Sequence, residues 1–446
     1  MFKRTQHNFQ IEEPTVFKQK LFAWAKQFET AIWLDSNNYK QEYSSFDCCL
    51  AAEEFTSIKT DYQNAFDKLK EYQNYTKDYI FGYISYDVKN DVEKLKSTNF
   101  DGLHFPDLYF FQPQKLIFIK GNTVEFHYLQ MIDDEIEEDF EDIISINANT
   151  TPLSDSLKDT DKKTSEENNI KIKLRIHKEE YHQKVTKVLE HIHRGDIYEA
   201  NFCQEFYAEN TSINPYKIYS HLNEISTPPF ATFFRHENLY VLSATPERYL
   251  KKEGLKIISQ PIKGTAKRLI NPIEDEKIAF DLARDEKERA ENIMIVDLVR
   301  NDLSKTAKKG SVQVEELCKV YSFKQVHQMI STIVSEISEN THPVDLIKDT
   351  FPMGSMTGAP KVSAMKIMEA LEETKRGLYS GTIGYFTPDG DFDFNVIIRS
   401  LLYNSDQKYV SFSVGGAITA KSIPEKEYEE CLLKAKAMKY VLLNSK

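Results

Sequence analysis

The 446-residue sequence predicts an α+β protein. Short runs rich in Phe, Tyr and β-branched residues recur through the first third of the chain and read as strands. Two tight-turn signals, Gly121-Asn122 and Pro388-Asp389-Gly390, lie between such runs and mark antiparallel hairpins. Elsewhere, apolar residues recur at the 3.6-residue spacing of amphipathic helices.

Taken in order, 31–38, 43–52, 79–88 and 115–129 read as strands, the last folded back at Gly121-Asn122. Residues 60–73 read as a helix with Tyr62, Phe66 and Leu69 on one side. From Asp133 the chain turns acidic and then polar, so 1–150 is expected as an N-terminal domain and 151–171 as a linker. A second domain, 172–446, opens with a helix from His177 to Arg194. Its Tyr181, Val185, Val188, Leu189 and Ile192 share a face, and Gly195 caps its end. The apolar run Leu255–Ile258 reads as a buried strand leading into a turn, Pro261-Ile262-Lys263-Gly264-Thr265. After Pro388-Asp389-Gly390 the pattern alternates. Phe392, Phe394, Val396 and Ile398 take one face; Asp391, Asp393, Asn395 and Arg399 take the other.

The balance of 57 basic and 69 acidic residues gives −12, with no basic block, which argues against nucleic acid and anionic membrane as partners. An anionic ligand would therefore need a few local cations or a metal. The five cysteines are odd in number and form no C-x-x-C pair, which supports neither a disulfide framework nor a zinc site and fits a reducing cytoplasm. Met1–Pro14 lacks an apolar signal core and no run of about 18 apolar residues occurs, so the expectation is a soluble, unexported, cytoplasmic protein.

Lys263 is a candidate nucleophile if burial or a nearby cation keeps part of it neutral; a surface lysine at a strand end would look the same. Gly264 beside it lets a ligand approach the backbone closely. Glu288 and Glu291, and again Glu427 and Glu430, are three residues apart on helices, so each pair shares a face. Two such faces opposed supply hard oxygen ligands of the kind that hold Mg²⁺, though a solvated face gives the same spacing. The stretch "GSMTGAPK" (354–361) lacks the spacing of a phosphate-binding loop. Pro360 suits a first helical turn, and the amides and hydroxyls of Ser355 and Thr357 before it form an anion-friendly helix start.

Six stretches together carry a resemblance: "SATPERYL" (243–250), "PIKGT" (261–265), 285–305, "FPMGSMTGAPKVSAMKIME" (351–369), "GTIGYF" with "FNVIIRS" (381–400), and "SVGGAI" with "EKEYEECLLKAKA" (413–437). In this order they resemble the chorismate-utilising enzymes, the family of the anthranilate, aminodeoxychorismate, isochorismate and salicylate synthases. The resemblance covers most of 172–446 and, more weakly, the N-terminal part. It implies large antiparallel sheets flanked by helices in a two-lobed composite, with the site in the C-terminal lobe.

Its implications for residues are specific. Lysine in "PIKGT" points to members that make 4-amino-4-deoxychorismate, a precursor of 4-aminobenzoate and folate, since anthranilate-forming members typically carry alanine there. The alternative within the family is formation of anthranilate and pyruvate. Lys263 would attack ring carbon 2 of chorismate, and Glu247 would protonate the departing hydroxyl at carbon 4; without the resemblance, Glu247 reads as a partner of Arg248. Glu291 and Glu430 would touch Mg²⁺, with Glu288 and Glu427 reaching it mainly through water. Arg399 and Tyr385 would hold the enolpyruvyl carboxylate, and Gly415, Gly416 and Lys434 the ring carboxylate. Gly264, Thr265, Ser355 and Thr357 would line the pocket. Gln328 stands where anthranilate- and isochorismate-forming members have histidine, and His327, one residue earlier on a strand, points the other way. Ser36 would border a tryptophan pocket. Ammonia would come from a separate glutamine amidotransferase subunit, since no cysteine here is flanked by glycines as a nucleophile would be.

Overall fold

The computed structural model describes residues 3–39, 42–147, 170–324 and 326–444. The expected linker 151–171 lies outside the described residues except for its last two. Twenty strands among the described residues join in one hydrogen-bonded network. Their pairings are antiparallel throughout. The α+β expectation is met.

The side-chain period of two explains the layering. Within Thr30–Asp35, Trp33 enters a core with Phe206, Val185 and Met438, while its neighbour Ile32 enters another with Tyr83 and Leu402. Within Ile80–Ile84, Phe81 and Tyr83 join that second core, and Ile80 and Ile84 enter a third with Phe66 and Val299. Both faces of these strands are therefore buried. The result is helix, sheet, sheet, helix, with the second core between the two sheets.

The outer helices follow from their stripes. Lys178–Arg194 buries Tyr181, Val185, Val188 and Ile192 and ends at Gly195, whose φ of 85° is easy only for glycine. Burying each of those apolar side chains is worth about 1.5–3 kcal/mol. The helix expected over 60–73 runs instead over Ala65–Thr76, because the preceding strand, Cys48–Thr60, continues through Thr60. The hairpin at Gly121-Asn122 joins Leu108–Lys120 to Thr123–Leu129, and the one at Pro388-Asp389-Gly390 joins Thr382–Phe386 to Phe392–Asn395.

Strands from either side of the polar segment pair with each other. Thr30–Asp35 runs against Phe230–His236, and Ile80–Ile84 against Thr382–Phe386. No helix among the described residues is long and apolar enough to cross a membrane.

Candidate active site

Lys263 does not sit on a turn. It lies in the strand Ile262–Lys267, which pairs with Val326–Glu336 and carries a register shift between Ile262 and Thr265. Gly264 makes that bulge, with φ at 95°, and a Cβ there would crowd Met329 and Glu288. Asn292, on the helix Glu286–Ser304, donates to the carbonyls of Lys263 (3.1 Å) and Met329 (3.2 Å) and pins the bulge from outside.

The Lys263 ammonium is largely buried and donates to Glu199 Oε1 at 3.2 Å. Burial pushes its pKa down, but the carboxyl groups of Glu199, Glu291 and Glu247 outweigh burial, and the net shift is upward. The expectation of a lysine kept partly neutral by its surroundings is therefore corrected: the neighbouring carboxyl groups hold the proton on.

Glu247 follows the strand Leu239–Thr245 and precedes Arg248–Glu253. Its carbonyl accepts from Val396 N at 3.0 Å. Its side chain is buried, and burial raises its pKa to about 7 against the opposing pull of Ser355, Lys263 and the Ile262 amide. Arg248 does not neutralise it, since that guanidinium is engaged by Asp393 at 2.9 Å. A buried carboxyl poised near neutrality is what a general acid requires.

Opposite these strand-borne groups stand the four glutamates. Glu288 and Glu291 lie on Glu286–Ser304, and Glu427 and Glu430 on Pro424–Leu443. Burial, reinforced by neighbouring acids, raises Glu291 to about 7 and shifts Glu288 and Glu427 upward. Glu430 is shifted down, despite burial, by Lys434 at 2.7 Å. Glu288 pushes the pKa of Glu291 up, and Glu430 pushes up those of Glu288 and Glu427, so the two helices bring like charges within electrostatic reach. Gly416 and Gly264 leave room for the Glu427 and Glu288 carboxyls. Among the described residues, no three acids are already gathered as a ligand set for a metal. The donor set nevertheless suits a hard divalent cation: all-oxygen ligands, and repulsion that a cation would relieve.

The cationic side is built by Arg399 and Lys434. Lys434 Nζ donates to Gly415 O at 2.8 Å, and Arg399 Nη1 reaches Lys434 O at 3.4 Å. Arg399 has φ of 54°, so the alternation read after Gly390 ends at Asn395 and the guanidinium leaves the strand pattern. Burial lowers its pKa, opposed first by Tyr379 and then by Glu430.

That neighbour corrects the choice of tyrosine. Tyr385 stacks on Phe81 at 5.3 Å and lines a separate cavity with Ser36, Phe46, Pro229, Asp393 and Asn395. Tyr379 is the phenol beside Arg399. The sequence offers two tyrosines six apart in "GLYSGTIGYF", and strand parity does not choose between them because Ser380, with φ of 62°, breaks it.

Ser355 is buried and acts on Glu247. Thr357 turns its hydroxyl to the Gly354 carbonyl at 3.2 Å, so its side chain closes the loop rather than facing an anion. The loop is held from behind by Arg376, which donates to Met356 O (2.6 Å), Asn201 O (2.7 Å) and Glu372. Thr265 is exposed and pairs with Gln328, whose Oε1 is buried without a partner. His327 is tied to Asp275 at 3.0 Å and Ser322 at 2.8 Å, away from Gln328 as expected.

Glu199, Asn292 and Tyr379 are the site residues that sequence reasoning missed. The available signal for Glu199 was an acid inside the strand Glu199–Ala208, which is otherwise buried nearly throughout.

Residues 29–440 match the family model described as "chorismate binding enzyme". The chain is 35% identical over 406 residues to a protein of Oryza sativa subsp. japonica named "Probable aminodeoxychorismate synthase, chloroplastic", covering 82% of this chain and 44% of that protein. It is 42% identical over 253 residues to "Aminodeoxychorismate synthase component 1" of Escherichia coli (strain K12), covering 57% of this chain and 55% of that one. The chain thus spans about half the length of these relatives. Its fold is similar to that of anthranilate synthase component I from Streptococcus pneumoniae TIGR4, with a TM-score of 0.74 at 24% identity over 90% of this chain and 95% of that one.

Proposed function

The chain belongs to the chorismate binding enzymes, and from that premise we propose that it aminates chorismate at ring carbon 4 to give 4-amino-4-deoxychorismate. One observation carries the choice: Lys263 Nζ is buried at the bulge of its strand, within reach of the acid Glu247, whose pKa is raised to about 7. An alanine there would leave no nucleophile on this wall.

In this reading the Lys263 amine, once deprotonated, attacks carbon 2. Both conjugated ring double bonds shift and the bond from carbon 4 to its hydroxyl breaks, with Glu247 delivering the proton that lets it leave as water. Ammonia then adds at carbon 4 and the bond from carbon 2 to Lys263 breaks, returning the lysine. The enolpyruvyl group stays on the ring. Arg399, with Tyr379 beside it, holds one substrate carboxylate, and Lys434 with the Gly415-Gly416 backbone holds the other; two cationic points suit a dianion. Glu288, Glu291, Glu427 and Glu430 would hold Mg²⁺. When bound, the cation supplies positive charge that screens a substrate carboxylate and the acids around it.

Ammonia is taken to come from a glutamine amidotransferase subunit. All five cysteines are buried. Burial raises the thiols of Cys203 to about 12 and Cys431 to about 11, and those of Cys48 and Cys49 well above the ordinary value. Thiols so placed are poor nucleophiles for a glutamine side chain.

Incubation with chorismate, Mg²⁺ and an ammonium salt, followed by chromatography and mass spectrometry, tests the reading. The expected product is 4-amino-4-deoxychorismate, formed from ammonia but not from glutamine by the chain alone. Fluorescent anthranilate in its place would sink the assignment, and glutamine-dependent turnover by the single chain would remove the need for a partner.

A further inference from the structure

A lysine attacks only as the neutral amine, and here the surrounding acids hold its proton on. The reaction proposed above therefore lacks a group that takes that proton. We propose that Glu199 is that group, the base that converts the Lys263 ammonium into the attacking amine; this rests on Lys263 being the nucleophile.

The geometry singles Glu199 out. Four acids lie within electrostatic reach of Lys263: Glu199 from its strand, Glu247 from the turn between two strands, Glu291 from the helix Glu286–Ser304, and Glu430 from Pro424–Leu443, the last paired with Lys434 at 2.7 Å. Among these, hydrogen-bond contact with Nζ is made by Glu199, at 3.2 Å. Glu247 is committed to protonating the leaving hydroxyl and cannot receive a proton in the same step. Glu291 approaches Lys287 at 3.8 Å and belongs to the carboxylate face. Glu199 is 1% exposed, and its second oxygen, Oε2, is buried with no hydrogen-bond partner. A buried acceptor left unsatisfied costs about 1–3 kcal/mol, so such an atom calls for an explanation. A role as base supplies one, because the lone pairs of an unengaged carboxylate oxygen are not held by another donor.

The protons balance. One passes from Nζ to Glu199, and the lone pair so freed forms the bond to carbon 2. The electrons of the carbon 4–oxygen bond leave with the oxygen, which takes the Glu247 proton and departs as water. Ammonia adds at carbon 4, the carbon 2–nitrogen bond breaks, and the amine recovers its proton from Glu199. The added nitrogen gives up one proton, restoring Glu247.

Glu199→Gln keeps the volume and a hydrogen-bond acceptor but takes no proton at neutral pH. With chorismate and Mg²⁺ and no ammonia, intact-protein mass spectrometry follows the adduct of chorismate less water on Lys263. At pH 7 the variant should form it on the order of 10²-fold more slowly than wild type, with KM for chorismate nearly unchanged. The wild-type to variant ratio should shrink about tenfold per pH unit as hydroxide replaces the missing base, and Glu247, common to both, cancels from that ratio. A merely structural role for Glu199 would move KM or thermal stability and leave the ratio flat. Should Glu199→Gln fail to fold, Glu199→Asp serves: its rate should be reduced with the wild-type pH profile, and an altered profile overturns the proposal. No adduct in wild type sinks the nucleophile reading and this proposal with it. A wild-type adduct that Glu199→Gln forms equally fast at pH 7 overturns the proposal alone.

Discussion

The two walls of the site are built differently. On the strand wall, Lys263, Glu247 and Glu199 sit on hydrogen-bonded backbone: Asn292 holds the Lys263 carbonyl, Val396 the Glu247 carbonyl, and Glu199 pairs with Thr419 on one side and Ala359 on the other. On the helix wall, four glutamates project from Glu286–Ser304 and Pro424–Leu443, and Glu430 is only half-buried. Strand groups are fixed before any ligand arrives, which is how a reacting geometry is held. The helix groups repel one another, and added positive charge relieves that repulsion. Fixed chemistry on one side and charge-driven assembly on the other predict separable defects.

Breaking the strand wall should cost most. Lys263→Ala should lose the covalent adduct and lower formation of 4-amino-4-deoxychorismate at least about 10³-fold, as loss of a nucleophile does. Undiminished product would reduce the lysine to an electrostatic bystander. Glu247→Gln should cost about 10²–10⁴-fold. Because Glu247 must be protonated and its pKa lies at about 7, wild-type kcat/KM should fall as pH rises above that value, and the variant should lose this limb. The stability sign agrees. Folding raises this pKa, so its contribution is full below the ordinary carboxylate range and lost as pH rises through about 7.

Much of this was legible in the sequence, and the failures have physical causes. Hairpins at Gly121-Asn122 and Pro388-Asp389-Gly390 follow from local turn chemistry, and the helix ending at Gly195 from its own stripe and cap. Both glutamate pairs fell on helices as their spacing required. The bulge at Lys263 was read as a turn, because the pairing with Val326–Glu336 that makes it a strand is non-local. Period-two reading cannot reach Tyr379 and assigns Arg399 a strand face it does not keep, because positive φ values at Ser380 and Arg399 break the alternation. Glu199 and Lys263 are 64 residues apart, and nothing in either neighbourhood announces the other.

The helix wall should respond to Mg²⁺ before it responds to chemistry. Saturating Mg²⁺ should raise the melting temperature by roughly 2–5 °C, more at pH 8 than at pH 6, because carboxylates bind the cation only when deprotonated. Glu291→Gln should remove most of that shift and most of the activity. Without Mg²⁺ at pH 8 the same variant should melt no lower than wild type, since burial and neighbouring acids disfavour a charge at that position. A variant that melts much lower without the cation would show the glutamate to be structural, and the contrast between the walls would fail.

The smallest effect separates the site from the cavity behind it. Tyr379 is buried, its pKa lies well above the ordinary phenol value, and it stays a neutral donor beside Arg399. Losing one hydrogen bond to a substrate carboxylate costs about 1.5 kcal/mol or somewhat more, so Tyr379→Phe should raise KM for chorismate roughly tenfold and change kcat less. Tyr385 and Ser36 line the separate cavity with Phe46, so Tyr385→Phe and Ser36→Ala should leave both constants within about twofold. Steady-state kinetics on the three variants decides the matter. If Tyr385→Phe raised KM as much as Tyr379→Phe, the two phenols would share one ligand, and Tyr385 would belong to the substrate site rather than to the separate cavity.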